Sequence, residues 1–322
     1  MKIQNSKFKT CLTTVKIQNS RRWRAWAWPW ELRKLGILGI NRRNLYYLFE
    51  LNPRSLYRYV DDKIMTKTVC KQRGIPVPET YAIIDRFGDL RNLSRIIAQR
   101  REFVVKPAAG SSGRGVVVIV GRRGSLFETP TSQMISLAEL RYHICSTLAG
   151  LYSLAGQSDR VIIEQRIVAH PVFEKLAVGG TPDVRVIIYR GVPIMAMLRL
   201  PTCASKGRAN LHQGAVAAGI NLATGETFGG VYRNRAVAVH PDTAAPIGGV
   251  KIPYWDKILE IAKTVGCVLN HGLERSEGMG YIGVDIVLDA HKGPVVLEAN
   301  ARPGLSIQIA NRLGLLPILT SR

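Results

Sequence analysis

The sequence predicts an α+β fold built on antiparallel sheets. After residue 80 the hydrophobic pattern alternates repeatedly between the two-residue period of strands and the 3.6-residue period of helices. Most predicted strands follow one another directly and are joined by turns that contain glycine, which favours hairpins over helical crossovers. The chain has 322 residues, 46% of them hydrophobic. It can therefore bury a core large enough for two or three lobes.

The first thirty residues form a basic segment rich in tryptophan. The sequence KIQNS occurs twice within residues 1–20 with little hydrophobic periodicity, and RRWRAWAWPW follows at 21–30. Residues 1–60 contain thirteen basic and two acidic residues, a net charge of +11 out of the chain's +22. Trp beside Arg suits an anionic membrane interface, and docking on the protein's own body is an equal alternative. We predict that residues 1–30 are a disordered or interfacial tail. We expect no nucleic-acid binding, because no nucleic-acid motif accompanies the charge.

Residues 31–100 are predicted to be a helical region that leads into the first sheet. Helical spacing runs from Glu31 to about Val69, and Asn52-Pro53 interrupts it, which indicates two short helices. The sequence GIPVPET at 74–80 then ends the helix and begins a strand.

Composition and targeting signals indicate a cytoplasmic protein. The longest apolar runs, such as VVVIV at 116–120, are far shorter than the roughly 20 residues of a membrane-spanning helix. The first twenty residues lack the apolar segment of a secretory signal. The five cysteines are scattered and form no Cys-x-x-Cys pair, which fits a reducing compartment.

Acidic and amide groups interrupt two apolar runs near the end of the chain, in GVDIVLDAHKGPVVLEANARPG. In a strand, Val296, Glu298 and Asn300 share one face. If the residues AHKG form a four-residue hairpin loop, Asp289 pairs with Pro294, and Asp285 lies opposite Glu298. Three oxygen donors would then lie on one patch of sheet. Carboxylate and amide oxygens without Cys or His suit Mg²⁺, and solvated polar faces of a hairpin are the equal alternative.

A loop of Gly and Ser joins two strand-like runs in FVVKPAAGSSGRGVVVIV, and Lys106 ends the first run. Successive amide N–H groups in such a loop can surround phosphate oxygens. The pattern is not a P-loop, because there the lysine follows the glycines and a helix begins. A Gly/Ser hairpin near a lysine, without a ligand, is a common alternative.

Charged residues also alternate in GTPDVRVIIYRGVPIMAMLRL, where Asp183 and Arg185 share a strand face. A three-residue turn at 190–192 would set Asp183 opposite Arg199, whereas a two-residue turn would move Arg199 to the other face. A polar loop, KGRANLHQGA at 206–215, follows. Each of these charges alone is more often solvated than functional.

In this order the motifs resemble the ATP-grasp superfamily, and within it the alpha-L-glutamate ligases. The resemblance covers roughly residues 61–310 and depends on DDK with GIPVPET, VVKPAAGSSGRGV, IIEQRI, DVR, GRANLHQGA, GVDIV and LEANARPG. The sequence is also similar to a sugar-transfer-associated branch, through GILGINRRNLYYLFELNPRSLYRYVDDK. The resemblance implies two lobes whose antiparallel sheets grip ATP between them, after a short helical N-terminal region. It places the small lobe with its glycine-rich loop at 101–167 and the large lobe at 168–322.

The resemblance also implies a role for each candidate residue. The groups that bind the nucleotide phosphates are Lys63, Lys106, Gly110, Ser111, Ser112, Gly113 and Gly115. The groups that meet adenine at the hinge are Glu164, Gln165, Arg166 and Ile167. Asp183 matches the position near the ribose, with Glu174 as a competitor. The groups that hold the triphosphate and the acyl intermediate are the catalytic Arg185, Arg199 and Arg208, with Asn210. The metal ligands are Asp285, Glu298 and Asn300.

The activity implied by the resemblance is ATP-dependent ligation of a carboxylate to an amine through an acyl phosphate. The cofactors are ATP and Mg²⁺, with Mn²⁺ as an alternative ion. The substrates are a small carboxylate, such as the amino acid glutamate, and an amine on a protein or small molecule. The alternative is an ATP-binding module without turnover, acting as a basic membrane-associated adaptor in cell-envelope or glycan modification. Peripheral contact with the inner face of an anionic membrane through residues 1–60 is compatible with either.

Two departures from the glutamate ligases concern substrate choice. Only about sixty residues precede Asp61, and they show a helix and tail pattern rather than a βαβ domain. The segment VAHPVFEKLAVGGTP between the hinge and Asp183 is longer than usual. Both regions help to select substrates in that family, so the identity of the transferred group stays open.

Overall fold

The computed structural model describes residues 28–110, 113–153, 156–271 and 278–321. The predicted tail lies outside this range except for residues 28–30. The helices in the described part are α1 (Pro29–Lys34), α2 (Ile40–Arg43), α3 (Phe49–Leu51), α4 (Arg58–Asp61), α5 (Lys63–Gln72), α6 (Leu93–Ile97), α7 (Leu137–Leu148), α8 (Trp255–His271), α9 (Ile307–Asn311) and α10 (Leu316–Thr320). A π-helical turn, Asn44–Leu48, joins α2 to α3. None of the described helices is long and apolar enough to span a membrane.

The described strands form three sheets, and every pairing within them is antiparallel. The strands are β1 (Thr80–Ile84), β2 (Phe103–Pro107), β3 (Val117–Ile119), β4 (Gly121–Arg123), β5 (Leu126–Glu128), β6 (Met134–Ile135), β7 (Val161–Glu164), β8 (Asp183–Tyr189), β9 (Val192–Leu200), β10 (Val216–Ile220), β11 (Thr227–Tyr232), β12 (Arg235–Val237), β13 (Tyr281–Asp289) and β14 (Gly293–Asn300). The predicted α+β fold with antiparallel sheets and a helical N-terminal region is confirmed. The predicted division at residue 167 falls between β7 and β8 and stays a prediction.

The small sheet has the strand order β1-β7-β2-β3. One face packs into a core with α6 and α7, formed by buried side chains such as Phe103, Val105 and Ile163. Because side chains alternate along a strand, Lys106 on β2 and Glu164 on β7 lie on the opposite face. A separate sheet of order β4-β5-β6 adjoins this core through Phe127.

The large sheet has the order β12-β11-β10-β9-β8-β13-β14. One face packs against α8 in the largest core cluster. The other face has two parts. At one end Ile187, Tyr189 and Tyr281 are covered by the N-terminal helices and the α9–α10 segment. Asp183 and Arg185 share the alternation of Ile187, so they lie on this same face beyond the helical cover.

The β13–β14 hairpin differs from the prediction in its turn. The prediction of a four-residue loop is wrong, because Asp289 pairs with Gly293 and leaves a three-residue connection. A one-residue bulge at Leu297 then restores the predicted pairing of Asp285 with Glu298. The bulge also places Val296 on the opposite face, in the large core cluster, so its predicted alignment with Glu298 is wrong.

The β8–β9 hairpin shows the same compensation. Its turn has two residues, Arg190 and Gly191, and both have positive φ (47° and 79°), as a type I′ turn requires. This turn alone would move Arg199 to the other face. A bulge at Ile194 reverses the shift, and Arg199 lies opposite Asp183.

The helical region is attached to the large sheet through a buried asparagine at the predicted break. The side chain of Asn52 donates to the carbonyl oxygens of Tyr281 at 2.6 Å and Ala301 at 2.9 Å. Its own oxygen accepts from the Tyr281 N–H at 3.0 Å. Asn52 is 1% exposed, so water cannot replace these bonds. This side chain therefore fixes the helices against the end of β13.

We predict that Asn52→Ala lowers the free energy of unfolding by about 3 kcal/mol, because it leaves buried backbone groups of β13 without partners. The matched control is Asn221→Ala, since Asn221 is exposed and its side chain accepts only a local bond from Ala223 among the described contacts. The control should change stability by less than about 1 kcal/mol. Chemical denaturation measures both, and equal effects would contradict the attachment.

Candidate functional site

A buried carboxylate between two lysines lies on the face of the small sheet that is opposite the core with α6 and α7. Lys106 pairs opposite Ile162 and Glu164 opposite Val104, so the two charged side chains are diagonal neighbours. The Glu164 carboxylate accepts from Lys106 Nζ at 2.5 Å and, with its other oxygen, from Lys67 Nζ at 2.5 Å. The side chains of all three are less than 10% exposed.

Burial and charge act in opposite directions in this cluster. Burial alone would raise the pKa of Glu164, but the two ammonium groups outweigh it and hold that pKa below its ordinary value. Burial lowers the pKa of Lys67 to about 8 despite the attraction of Glu164. Lys67 was not among the predicted site residues. Its position four residues after Lys63 places both side chains on one face of α5, and this spacing was the available signal.

Lys63 joins the glycine-rich loop to the large sheet. Its Nζ donates to the carbonyl oxygen of Gly110 at 2.5 Å and lies 3.9 Å from Oε2 of Glu298. Its backbone N–H donates to Ala108 at 3.0 Å, which holds the start of α5 against the end of β2. Burial lowers the pKa of Lys63, and the charge of Glu298 opposes that effect. The structure thus brings together one predicted phosphate lysine, the loop and one predicted metal ligand.

Guanidinium and carboxylate groups alternate across the large sheet. Asp285 accepts two hydrogen bonds from Arg185, at 2.7 and 2.6 Å, and a third from Arg199 at 2.7 Å. Arg199 also binds both oxygens of Asp183, at 2.5 and 2.7 Å. Burial would raise the pKa of Asp285, but Arg185 and Arg199 outweigh it and hold that pKa well below its usual range.

The three predicted metal ligands are neighbours. The Asn300 amide nitrogen lies 3.4 Å from Oδ2 of Asp285 and 3.3 Å from Oε1 of Glu298. The side chain of Glu298 is 34% exposed, whereas that of Asp285 is 2% exposed. In the described part of the chain, no group of three or more His, Cys, Asp or Glu side chains suits a metal ion.

This donor set fits Mg²⁺ by its chemistry. Its two carboxylates and its amide can each supply an oxygen donor, which a hard divalent ion prefers, although in this structure the Asn300 amide nitrogen faces the carboxylates. Oδ1 of Asp285 accepts one described bond, from Arg185, and a carboxylate oxygen has capacity for another. Glu298 and Asn300, with Oδ1 of Asp285, are therefore the groups that would hold the ion.

The described glycines of the loop lie against side chains of other segments. Gly113 has φ +68°, and an added Cβ would be 3.4 Å from Cδ of the exposed Arg208. Gly115 has φ +72° and lies against the ring of Tyr152, where a Cβ would be 2.6 Å from the ring. Only glycine fits such a position. The structure therefore brings Arg208 to the loop, while Ser111 and Ser112 lie outside the described residues.

Several predicted nucleotide contacts are engaged within the protein. The Gln165 side chain accepts from Lys292 at 2.6 Å, and Arg166 pairs with Glu102 at 2.7 Å. Both oxygens of Asp183 are bound by Arg199, which makes Asp183 a positioning group for that arginine. Ile167 is half-buried, Glu174 is exposed, and Asn210 accepts a local bond from the His212 N–H at 3.0 Å.

Buried Asp289 connects the segment after the hinge to the β13–β14 connection. From the sequence it was predicted only as a residue beside the turn. It is 1% exposed and accepts from the N–H of Val168 at 3.1 Å. Its other oxygen accepts from the N–H groups of His291 and Lys292, both at 2.9 Å. The segment that follows β7 is thus fixed to the hairpin that carries the predicted metal ligands.

Residues 42–321 match the model of a family described as sugar-transfer associated ATP-grasp. Among curated proteins, the chain is 25% identical over 257 residues to a probable alpha-L-glutamate ligase of Sodalis glossinidius (strain morsitans). That alignment covers 80% of this chain and 62% of the relative, so the chain spans less than two thirds of the relative's length.

Solved structures that match the chain include two enzymes. A D-cycloserine synthetase matches with a TM-score of 0.45 and 17% identity, over 81% of this chain and 70% of that one. A D-alanine–D-alanine ligase from Bacillus anthracis matches with a TM-score of 0.43 and 18% identity, over 83% of this chain and 63% of that one.

We predict that Glu164→Gln lowers the free energy of unfolding by about 3 to 5 kcal/mol, because two buried ammonium groups lose their shared counter-ion. Glu128→Gln is the control, since Glu128 pairs with the largely exposed Arg123. It should cost less than about 1 kcal/mol. Denaturation at pH 7 compares them, and a stability loss in Glu164→Gln no larger than in the control would argue against a buried cluster.

The lowered pKa of Lys67 also predicts a pH effect. From about pH 8 up to its ordinary pKa of 10.5, the unfolded chain keeps the Lys67 proton and the folded protein loses it. Stability from this group therefore rises with pH in that window, by at most about 3 kcal/mol. Unfolding free energies at pH 7.5 and 9.5 should show a steeper rise in the wild type than in Lys67→Met. Identical slopes would refute the lowered pKa.

Proposed function

The chain belongs to the sugar-transfer associated ATP-grasp family, and from this membership we propose that it is an ATP-dependent ligase that joins a carboxylate to an amine. ATP is its co-substrate and Mg²⁺ its metal ion, with Mn²⁺ as a substitute. The activity is cytoplasmic.

One observation supports this proposal most directly. The ammonium group of Lys63 contacts the loop carbonyl of Gly110 and lies within ion-pair distance of Glu298. One cation therefore lies between the glycine-rich loop and the candidate metal ligands. A lysine ammonium beside a carboxylate and a glycine-rich loop is an arrangement suited to a polyphosphate with a divalent ion.

The residues divide the chemistry between them. A carboxylate oxygen of the substrate attacks the γ-phosphorus of ATP, ADP leaves, and an acyl phosphate forms. The amine nitrogen then displaces phosphate from the acyl carbon and loses a proton, which gives the amide. Lys63 and Arg208 bind phosphate oxygens, while Arg185 and Arg199 hold Asp285 ionised. Bound Mg²⁺ would supply neutralisation of phosphate charge. No side-chain nucleophile is required, because catalysis consists of positioning and charge stabilisation.

The substrates are proposed from the curated relative rather than from the cleft. The curated relative is described as a probable alpha-L-glutamate ligase, which supports an amino acid such as glutamate as the activated acid. The acceptor is an amine on a protein or a small molecule. The parts of the chain that would select them are the helical region and the segment 168–182, which lies between the hinge and Asp183.

A second candidate is an ATP-binding module that has lost turnover and acts as an adaptor. The exposed basic and apolar side chains of the helical region favour it, because they form a surface apart from the cleft. The two candidates differ in ADP release. Wild-type protein that binds ATP but releases no ADP with any acid and amine would support the adaptor.

We predict that Glu298→Ala and Asn300→Ala each reduce Mg²⁺-dependent ADP release by roughly a hundredfold or more. The control is Glu260→Ala, an exposed acid on α8, which should leave turnover unchanged. ADP release is measured in a screen of amino acids and amine acceptors, and mass spectrometry of the product identifies the acid transferred. Unfolding midpoints confirm that each variant is folded. Unchanged turnover in both site variants would remove the metal assignment.

A further inference from the structure

The helical segment from Ile40 to Leu51 has large apolar side chains on two opposite faces. Tyr47 and Leu48 are buried against the large sheet. Leu45, Tyr46 and Phe49 point away from it and are 55, 57 and 58% exposed. A surface helix normally presents polar residues to water, so apolar residues on both sides indicate that the outer side has a partner. We call Leu45, Tyr46 and Phe49 the outer face.

Further exposed aromatic rings precede this segment. Trp28 and Trp30 are 48 and 56% exposed, and their rings stack on each other at 4.8 Å. Helix α1, which contains Trp30, buries none of its residues. Trp and Tyr combine an apolar ring with a polar group, a combination that suits the depth of lipid headgroups.

The exposed charges of the helical region that carries the outer face are mostly positive. Arg42 is exposed one turn before Leu45 and Tyr46, and Arg58 is exposed beyond the break at Asn52. The guanidinium of exposed Arg54 lies 5.8 Å from the centre of the Phe49 ring. On α1, Arg33 and Lys34 are exposed as well. The exposed basic groups from Trp28 to Arg58 therefore outnumber the acidic ones, Glu31 and Glu50.

We infer that the outer face docks on an anionic membrane surface. A lipid surface accepts apolar side chains and attracts the surrounding cations at the same time. A second copy of the chain fits less well, because a symmetric dimer would bring two such basic faces together. A nucleic acid would use the arginines but would leave the apolar outer face in water. Charge and hydrophobicity together thus select the anionic membrane.

Docking would also orient the cleft. On the inner side of the same segment, Arg43 donates to the carbonyl of Pro303 at 2.9 Å, and Asn52 holds Ala301. The two acceptors, Pro303 and Ala301, lie in the loop that follows Asn300. The outer face is therefore fixed to the part of the large sheet that carries the candidate metal ligands. Membrane docking itself does not require that the protein be a ligase.

The test is co-sedimentation of the full chain with vesicles. Wild-type protein should bind vesicles that contain phosphatidylglycerol, bind less at high salt, and bind neutral phosphatidylcholine vesicles weakly. The variant Leu45→Ser, Tyr46→Ser, Phe49→Ser should lower the partition coefficient on anionic vesicles roughly tenfold or more, because three apolar side chains lose their burial. Residues 1–27 are kept in every variant, so the difference reports the outer face.

The matched control replaces one residue of each same type, at least as exposed, elsewhere on the surface. It is Phe87→Ser, Tyr142→Ser, Leu151→Ser, at 58, 77 and 67% exposure, and it should keep wild-type binding within about twofold. Circular dichroism and unfolding midpoints verify folding. If the outer-face variant is unstable, Arg42→Gln with Arg58→Gln tests the electrostatic part and should reduce binding to anionic vesicles alone.

Three results would overturn the inference. Equal vesicle binding by the outer-face variant, the control and the wild type would show that the face does not meet lipid. A wild-type dimer that the outer-face variant dissociates, without a change in vesicle binding, would assign the face to self-association. Tighter binding to RNA than to anionic vesicles, lost in the arginine variant and kept in the outer-face variant, would assign the surface to nucleic acid.

Discussion

The alternation of guanidinium and carboxylate groups across β9, β8 and β13 is the interaction on which the candidate site depends. None of these buried charges could be accommodated alone, because removing a single ion from water costs several kcal/mol. Arg199 bridges Asp183 and Asp285, and Arg185 on the strand next to Asp285 binds both of its oxygens. Every buried acid of the array has a guanidinium partner, and Glu298 on β14 is left as the acid that faces outward. The strand register determines this order, since a one-residue slip would move a charge to the apolar face.

The small sheet applies the same principle with opposite signs. There a buried carboxylate, Glu164, holds two lysines, whereas on the large sheet two arginines hold a buried carboxylate. On both sheets the buried charges form a fixed ion cluster. Lys63 connects the two sheets, because its ammonium group contacts Gly110 on the loop of the small sheet and lies near Glu298 on the large sheet. Groups held in this way need not reorganise when charge develops beside them, which is how enzymes stabilise phosphoryl transfer. The free energy that folding spends on burying these charges therefore also fixes the groups that the proposed reaction needs in the cleft.

The sequence predicted the fold class and the pairing of Asp285 with Glu298, the latter with the wrong turn, and it left the pairing of Asp183 with Arg199 open between a three-residue and a two-residue turn. Alternation along each strand could be derived from the residues, whereas a bulge depends on how the pleat fits its neighbours, so Leu297 and Ile194 could not be identified in advance. Lys67 was accessible from its helical spacing to Lys63 and was overlooked. The hinge side chains could not be assigned from the motif alone, because their partners Glu102 and Lys292 come from distant segments.

The N-terminal helical region explains why the site occupies only part of one sheet face. The helices cover the end of that face that carries Tyr189 and Tyr281, and α5 then brings Lys63 to the uncovered end. Covering the sheet requires an apolar inner side, and reaching the cleft requires Lys63. Neither task requires the solvent-facing side of the helical region to be apolar. The exposure of Leu45 and Phe49 is therefore not a by-product of packing against the sheet. Apolar side chains that serve neither the core nor the cleft lower the solubility of the folded protein unless another surface covers them, so the helical region that supports the cleft has a third contact to make.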